Sequence, residues 1–306
     1  MTARPLVSIG LPTFNGSRYL DDTIDSLLAQ DLPDFELLIS DNGSTDGTAE
    51  ICRRAERDRR VRVSRVEANR GAAWNYNHVL AMATGANFKW SADDDLCHPS
   101  FLRRCIEELE ANPGAVLAWP QTTIIDGDGA TVGPMDDGNL DLRDRDPAHR
   151  LAELLRNRVE WHPVFGVIRT DALRQTRGIG AFVSADIALL AELALRGHFH
   201  QVPERLFLRR YHERRSIAAN PSFREHAAWY RPDRRDRPAL PEARLLRELL
   251  VRVAESPLPA GDRARAALEV VRRRALPHWR HIGGEVKLAL REALGGLRQP
   301  GTGGPG

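Results

Sequence analysis

The sequence predicts an open α/β fold with a mostly parallel central sheet, followed by a basic helical appendage. Three observations carry this. Strand-like and helix-like segments alternate over about the first 95 residues. Two polar, carboxylate-bearing segments, Asp41–Thr48 and Asp93–Asp95, fall at the ends of strands. Beyond about residue 216 the alternation stops, and helical periodicity with abundant arginine takes over. Alternation of this kind argues for right-handed crossovers between parallel strands. The carboxyl ends of strands in an open sheet line one crevice, so two acidic sites far apart in sequence converge there.

The elements follow in order. Leu6–Pro12 is a short apolar run closed by proline, the pattern of a buried strand, and Thr13-Phe14-Asn15-Gly16 turns the chain. Leu20, Ile24, Leu27 and Leu28 share one helical face, with Asn15 or Ser17 as candidate cap. Phe35–Ser40 is a second strand running into Asp41-Asn42-Gly43-Ser44-Thr45-Asp46-Gly47-Thr48. A helix over 46–57 and the alternating strand Val61–Val66 come next. The turn Asn69-Arg70-Gly71 opens a helix over 72–83, and a fourth strand leads to Asp93-Asp94-Asp95. Ser100–Ala111 is an amphipathic helix, Val116–Pro120 and Thr122–Asp126 read as strands, and 127–147 as a loop. After a helix starting at Leu151–Leu155, the pattern from Asp186 through Leu189 and Leu193 to Gly197 marks another. Residues 220–241 read as a Pro- and Arg-rich connector, helices are expected at 242–254, 262–275 and 284–294, and 295–306 as a disordered tail.

Composition narrows the function classes. The 42% hydrophobic and 28% charged content is that of a globular protein, and no apolar run approaches a membrane span. Cys52, Cys97 and Cys105 are too few and too widely spaced for a disulfide scaffold. With no leader-like N-terminus, a cytoplasmic protein with reduced thiols is expected. The net charge of +2 hides an excess of 21 Arg and Lys over 10 Asp and Glu between Arg205 and Arg291. Nucleic acid is not the expected partner, because no DNA- or RNA-binding signature accompanies that excess. An anionic membrane surface or a homo-oligomer contact remains open for it.

Three adjacent carboxylates repel one another, and they suit a strand end that holds a cation. Mg²⁺ and Mn²⁺ prefer oxygen ligands, commonly one or two carboxylates completed by substrate phosphates. The alternative for the triplet is a solvated acidic turn. Convergence with Asp41 favours the metal reading.

Pro12-Thr13-Phe14-Asn15, Gln30, the run Glu36 to Thr48, Asn69-Arg70-Gly71, Asn75, Asp93-Asp94-Asp95 and Pro99 together resemble family 2 glycosyltransferases. The resemblance covers about residues 5 to 215. It implies a GT-A, Rossmann-like α/β/α sandwich in residues 1–215, with 216–294 as the appendage. It implies metal-dependent, inverting transfer from a nucleoside diphosphate sugar to a glycan, lipid-linked or small-molecule hydroxyl, with UDP or dTDP ahead of GDP. Pro12, Thr13, Phe14 and Asn15 would lie against the nucleotide, with Asp41 accepting from the base. Arg70 would reach the pyrophosphate, or else be a solvated loop arginine. Asn75 and Asn77 would touch the nucleoside, or else face water. Asp93 would face the ribose and the water shell of the metal, Asp95 would bind Mn²⁺ or Mg²⁺ directly, and Asp94 would share the work. His162 would border the acceptor or pack at a strand start. Asp186 would be the general base, with helix N-cap as the alternative. His212 would meet metal or phosphate, helped by Arg215 or Ser216, in the segment that closes over the diphosphate.

Two rival functions stand beside this one. A sugar nucleotidyltransferase normally has a Gly-rich basic loop after its first strand, where this chain has Pro12-Thr13-Phe14-Asn15. A catalytically inactive sugar-nucleotide-binding protein would not need both Asp41 and the triplet.

Overall fold

The computed structural model describes residues 4–136, 140, 142–156, 162–213, 222–234 and 240–296. The chain opens with β1 (Val7–Thr13), all seven residues of which are buried, as a strand covered on both faces requires. Helix α1 (Leu20–Leu28) turns Leu20, Ile24 and Leu27 inward, and β2 (Phe35–Asp41) returns parallel to β1. Helix α2 (Thr48–Ala55) leads to β3 (Val61–Arg65), parallel to β2. Helix α3 (Ala72–Met82) leads to β4 (Asn87–Trp90), parallel to β1 on its other side. The register pairs Thr13 with Asp41 and Gly10 with Trp90, so all three strands end at one edge.

The second half completes the sheet less regularly. It comprises β5 (Leu96–Cys97), α4 (Phe101–Ala111), β6 (Ala115–Ile125), β7 (Thr131–Pro134), α5 (Pro147–Arg156) and β8 (Val167–Arg169). Helices α6 (Thr170–Arg174) and α7 (Ala185–Ala194) then precede the long β9 (His198–Arg210). The strand order is β3-β2-β1-β4-β8-β6-β9-β5, with β7 alongside β6. Strand β8 is antiparallel to both neighbours, while β6 and β9 run parallel. The fold is therefore α/β with a curled, mostly parallel sheet, as the sequence predicts.

Three local readings need correction. The two strands expected at 116–120 and 122–126 are one strand, β6. Pro120 cannot donate to the ladder, and register shifts at Pro120 and Gln121 absorb that loss without ending the strand. The expected loop 127–147 contains β7, and Leu142 bridges to Phe199; residues 137–139 and 141 lie outside the described residues. Neither Asn15 nor Ser17 caps α1, whose cap position is Tyr19 without a side-chain bond.

Two apolar layers sandwich the sheet. One joins α1, α2 and α4 to its first face; the other joins α3, α5 and α7 to its second. The C-terminal region extends the second layer. Within the expected connector lies α8 (Phe223–Tyr230), started by a capping box in which Ser222 Oγ accepts from Glu225 N–H and Glu225 accepts from Ser222 N–H. Helix α9 (Pro241–Glu255) follows, then α10 (Ala260–Val270), a π turn (Val271–Ala275) and α11 (Leu276–Gly296). The helices expected at 262–275 and 284–294 are thus one continuous run. Pro277 sits just past the π turn, a widening that lets a helix carry proline without breaking. Leu245, Leu249 and Val253 of α9 and Ala266 and Val270 of α10 share a core with the leucines of α7. By contrast, α11 leaves Leu276, Trp279, Val286, Leu288 and Leu290 exposed. Residues 297–306, where a disordered tail is expected, lie outside the described residues.

Candidate active site

The edge where β1, β2 and β4 end opens into a cavity of about 320 Å³. Its floor is Pro12, Thr13 and Phe14 from the end of β1 together with Ala92 and Asp93–Asp95. Asn42, Asn69, Asn75 and Tyr76 form one side, Arg209 and Arg210 the other, and Ala228, Trp229 and Pro232 the roof.

Each carboxylate of the triplet is tied to a different part of the chain. Thr13 Oγ1 donates to Asp93 Oδ2 at 2.5 Å, joining the triplet to β1. Asp94 Oδ2 lies 2.9 Å from His212 Nε2. Asp95 Oδ1 accepts the backbone N–H of Arg210 at 2.8 Å, and its carbonyl accepts from Thr23 Oγ1 at 3.0 Å. Arg210, 2% exposed, brackets this turn. Its Nε donates to the Asp94 carbonyl, its Nη1 to the Gly127 carbonyl, and its guanidinium lies 4.6 Å over the Tyr19 ring. His212 packs against the same ring, with centroids 4.6 Å apart. Gly16 must be glycine, because a Cβ there would strike Asp93 Oδ2 and Thr13 Oγ1. Burial, and then the charge of Asp94, push Asp93 and Asp95 well above the ordinary carboxylate range. Three adjacent carboxylates in one turn, Asp95 buried and Asp93 and Asp94 half-buried, are electrostatically costly, and a cation relieves that cost.

The remaining predicted residues fall in two groups. Asn15 adopts a left-handed φ of 54°, and its Oδ1 accepts from Thr45 N–H, which fastens the β1 turn to the β2 turn. Asp41 is fully buried beside the cavity but is not part of its lining. Its Oδ1 accepts from Ser44 N–H at 2.9 Å, and its Oδ2, 3.3 Å from Arg65 Nε, has no hydrogen bond. Asn75 donates to the carbonyls of both Thr13 and Ser40, bridging β1 and β2 where they end. Its Oδ1 is buried without a partner in the cavity wall. Arg70 stacks 4.3 Å over Trp74 and takes no part in the lining. Asn77 holds the turn at Ile179 through its N–H and carbonyl. His162 is 4% exposed, 3.2 Å from Thr122 Oγ1, and packs edge-on against Phe207.

Asp186 lies beside the cavity rather than in its lining. Ser184, in the left-handed region at φ 67°, turns the chain into α7 without capping it, and Asp186 Oδ1 accepts from Ile187 N–H. Burial raises the Asp186 carboxyl, while Arg209 pulls it down. Arg209 also lowers Asp95, so one guanidinium lies within electrostatic reach of the triplet and of Asp186. Arg215 and Ser216 lie outside the described residues. Tyr76, Arg209 and Trp229 line the cavity without having been singled out from sequence. Arg209 opens the 209–216 segment that the resemblance sets over the diphosphate, whereas Tyr76 and Trp229 carry no signal beyond being aromatic.

A curled sheet with an acidic turn at its carboxyl edge defines the GT-A class, and the solved structures that resemble the chain are of that class. The family model described as glycosyl transferase family 2 matches residues 8–176, and the chain belongs to that family. TuaG of Bacillus subtilis strain 168, named for teichuronic acid biosynthesis, is 37% identical over 105 residues, 34% of this chain and 42% of TuaG. Chondroitin synthase of Pasteurella multocida strain Pm70 is 29% identical over 129 residues, 42% of this chain and 13% of the synthase. The matched region thus spans less than half the length of these relatives. Staphylococcus aureus TarS 1–349 in complex with UDP-GlcNAc superposes with a TM-score of 0.65 at 16% identity, covering 93% of this chain and 80% of that one. Mannosyltransferase PcManGT from Pyrobaculum calidifontis, with GDP-Man and Mn²⁺, gives 0.53 at 17% identity over 96% and 88%.

Proposed function

We propose that this chain is an inverting glycosyltransferase that moves a sugar from a nucleoside diphosphate sugar to an acceptor hydroxyl with the help of Mn²⁺ or Mg²⁺. The observation that carries it is the meeting of Asp93–Asp95, Arg209 and the end of β1 in one cavity at the carboxyl edge of the sheet. The unpartnered Asn75 Oδ1 in the cavity wall supports a polar ligand there. Asp41, the carboxylate that would accept a pyrimidine N3–H and so put UDP or dTDP ahead of GDP, lies beside the cavity with its Oδ2 3.3 Å from Arg65 Nε.

Among the described residues, no three His, Cys, Asp or Glu side chains enclose a metal by themselves. A hard divalent ion does not need that. It takes one or two carboxylates and fills its remaining positions with water and phosphate. Burial, and then the charge of Asp94, raise the carboxyls of Asp93 and Asp95, a cost that a cation at the turn would relieve. The donors therefore fit: Asp95, with Asp94 and its neighbour His212, would hold the ion, and Asp93 would face the ribose. The ion's contribution is Lewis-acid neutralisation of the departing diphosphate.

The chain's own residues do the rest. Thr13 holds Asp93 in place, and Asn75 keeps β1 and β2 from splaying under the nucleotide. Arg209 adds a positive charge on the diphosphate side. Asp186 takes the proton of the acceptor hydroxyl as it attacks the anomeric carbon. Residues 1–215 form the catalytic unit and 216–294 its helical appendage. Among the described residues, no helix is long and apolar enough to cross a membrane. The exposed apolar side chains of α11, beside Arg280, Lys287 and Arg291, support peripheral contact with an anionic membrane.

Titration calorimetry with UDP tests the donor site. Wild-type protein should bind more tightly with Mn²⁺ than with EDTA, and Asp95→Asn should lose that difference. Equal affinity with and without the ion in the wild type would overturn the metal role.

A further inference from the structure

Three consecutive residues of α3 are tied to three different parts of the chain. Asn75 donates to the carbonyls of Thr13 and Ser40, where β1 and β2 end. Tyr76 lines the cavity, and its carbonyl accepts from Trp90 Nε1 at 3.0 Å, which fastens α3 to the last residue of β4. Asn77, about 100° further round the helix, takes no part in the lining. Its Nδ2 donates to the Ile179 carbonyl at 2.8 Å, and its Oδ1 accepts the N–H of the same residue at 3.0 Å. The side-chain amide therefore pairs with Ile179 as a neighbouring strand would. A further 2.8 Å bond from Nδ2 to the Ala73 carbonyl fixes that amide on its own helix.

Ile179 begins the segment that ends at Asp186. Its approach to α3 is close: Gly178 has a left-handed φ of 64°, and a Cβ there would lie 2.4 Å from Asn77 Oδ1. Ile179 and Phe182 are both buried, and the Arg244 guanidinium of α9 lies 5.1 Å from the Phe182 ring. Ser184 then takes its left-handed turn without capping α7. A residue other than glycine keeps that conformation only where its surroundings over-determine it. Behind the turn, α7 is fixed by its buried residues. Ahead of it, the hydrogen-bonded anchor is Asn77. The direction in which the chain presents Asp186 is set between these two.

We propose that Asn77 is the positioning residue for Asp186. It references the base to the same turn of α3 that braces the donor end of the sheet, so the two sides of the reaction share one rigid frame. Asn77 touches neither donor nor acceptor, and acts through Ile179–Ser184. The inference rests on the glycosyltransferase reading and goes beyond it by naming the group that sets the place of the base.

The test uses the full chain with Mn²⁺ and saturating UDP-glucose, UDP-galactose or UDP-N-acetylglucosamine, with water standing in for the acceptor. Asn77→Ala removes the clamp from the helix side, and Gly178→Ala displaces it from the loop side. Both should lower the hydrolysis rate by about ten- to a hundredfold, the cost of a reacting group misplaced by up to about 1 Å. UDP affinity should stay within about threefold of wild type, because the effect falls on turnover alone. Amide exchange should quicken over residues 178–186. The decisive arm is Asn77→Ala combined with Asp186→Asn. A residue that acts only through the base costs nothing more once the base is gone, so the double variant should match Asp186→Asn. A further fall of the same size in the double variant would make Asn77 merely structural and overturn the proposal. Unchanged hydrolysis in both single variants, or a loss of UDP affinity in step with turnover, overturns it as well. Absence of hydrolysis of all three sugars by the wild type would strike the glycosyltransferase reading, and the proposal with it.

Discussion

Arg252 of α9 and Glu192 of α7 face each other at 3.3 Å, 2% and 4% exposed, where the appendage meets the helix that starts beside Asp186. Glu248 joins them through a 2.7 Å bond to Arg252 Nη1, and Arg196 approaches Glu192 from the other side. The appendage is thus held to the helix of the proposed base by a buried ionic network set within an apolar seam. Removing one member of such a network strands the others in a low-dielectric setting.

Arg252→Met should therefore cost about 3–5 kcal/mol of unfolding free energy, the range for breaking a buried pair. Denaturant unfolding measures it. Adding Glu192→Gln to that variant should recover part of the loss, because one stranded charge is gone. A single variant within about 0.5 kcal/mol of wild type would show the network to be energetically idle.

Asp186→Asn should keep UDP affinity within a few-fold and lower turnover by about 10²–10⁴, the worth of general-base catalysis. The acid limb of the wild-type rate profile should lie above the ordinary carboxylate range, because burial raises this carboxyl and the base must be ionised to act. Stability has the opposite sign. A carboxyl raised on folding contributes fully below its unfolded pKa, and that contribution is lost as pH rises through the folded value. Asp186→Asn should accordingly gain stability relative to wild type across that window.

Gly71→Ala places a Cβ against the carbonyl of Tyr230, at a residue whose φ of 87° already disfavours side chains. The expected result is a loss of about 1–3 kcal/mol from backbone strain alone, with faster amide exchange confined to residues 223–234. Unchanged exchange there would mean that α8 is not seated through this contact.

Leu276, Trp279, Val286 and Leu290 recur at helical spacing on α11, each between 43% and 63% exposed. The chain should sediment with anionic vesicles at low salt and release as salt rises, since the attraction is screened. No sedimentation with anionic vesicles at low salt would overturn the peripheral-membrane reading.

Much of the first half was legible because its chemistry is local. Strands covered on both faces read as apolar runs, and their polar endings, Asp41 and Asp93–Asp95, named the functional edge directly. The second half was less so, for reasons visible in single residues. Pro120 looked like a stop signal, yet bulges carry β6 through it. The helix expected at 284–294 begins at Leu276 instead and runs through Gly283 and Gly284. Asp41 and Arg70 sat at plausible positions in sequence, but burial of one and stacking of the other on Trp74 depend on long-range packing. Tyr76 and Trp229 became site residues only because α3 and α8 meet over the cavity, a tertiary event with no sequence period.

The floor of the cavity is complete by Asp95, whereas its roof begins at Ala228. A chain growing from its N-terminus makes the first long before the second. At about 5–20 residues per second, the interval is on the order of ten seconds. Throughout it the nascent protein carries three neighbouring carboxylates in an unroofed trough, hydrated and free of the burial that later raises Asp93 and Asp95. Closure of the cavity is therefore a late event of biosynthesis, reached when α8 leaves the ribosome and settles on Gly71.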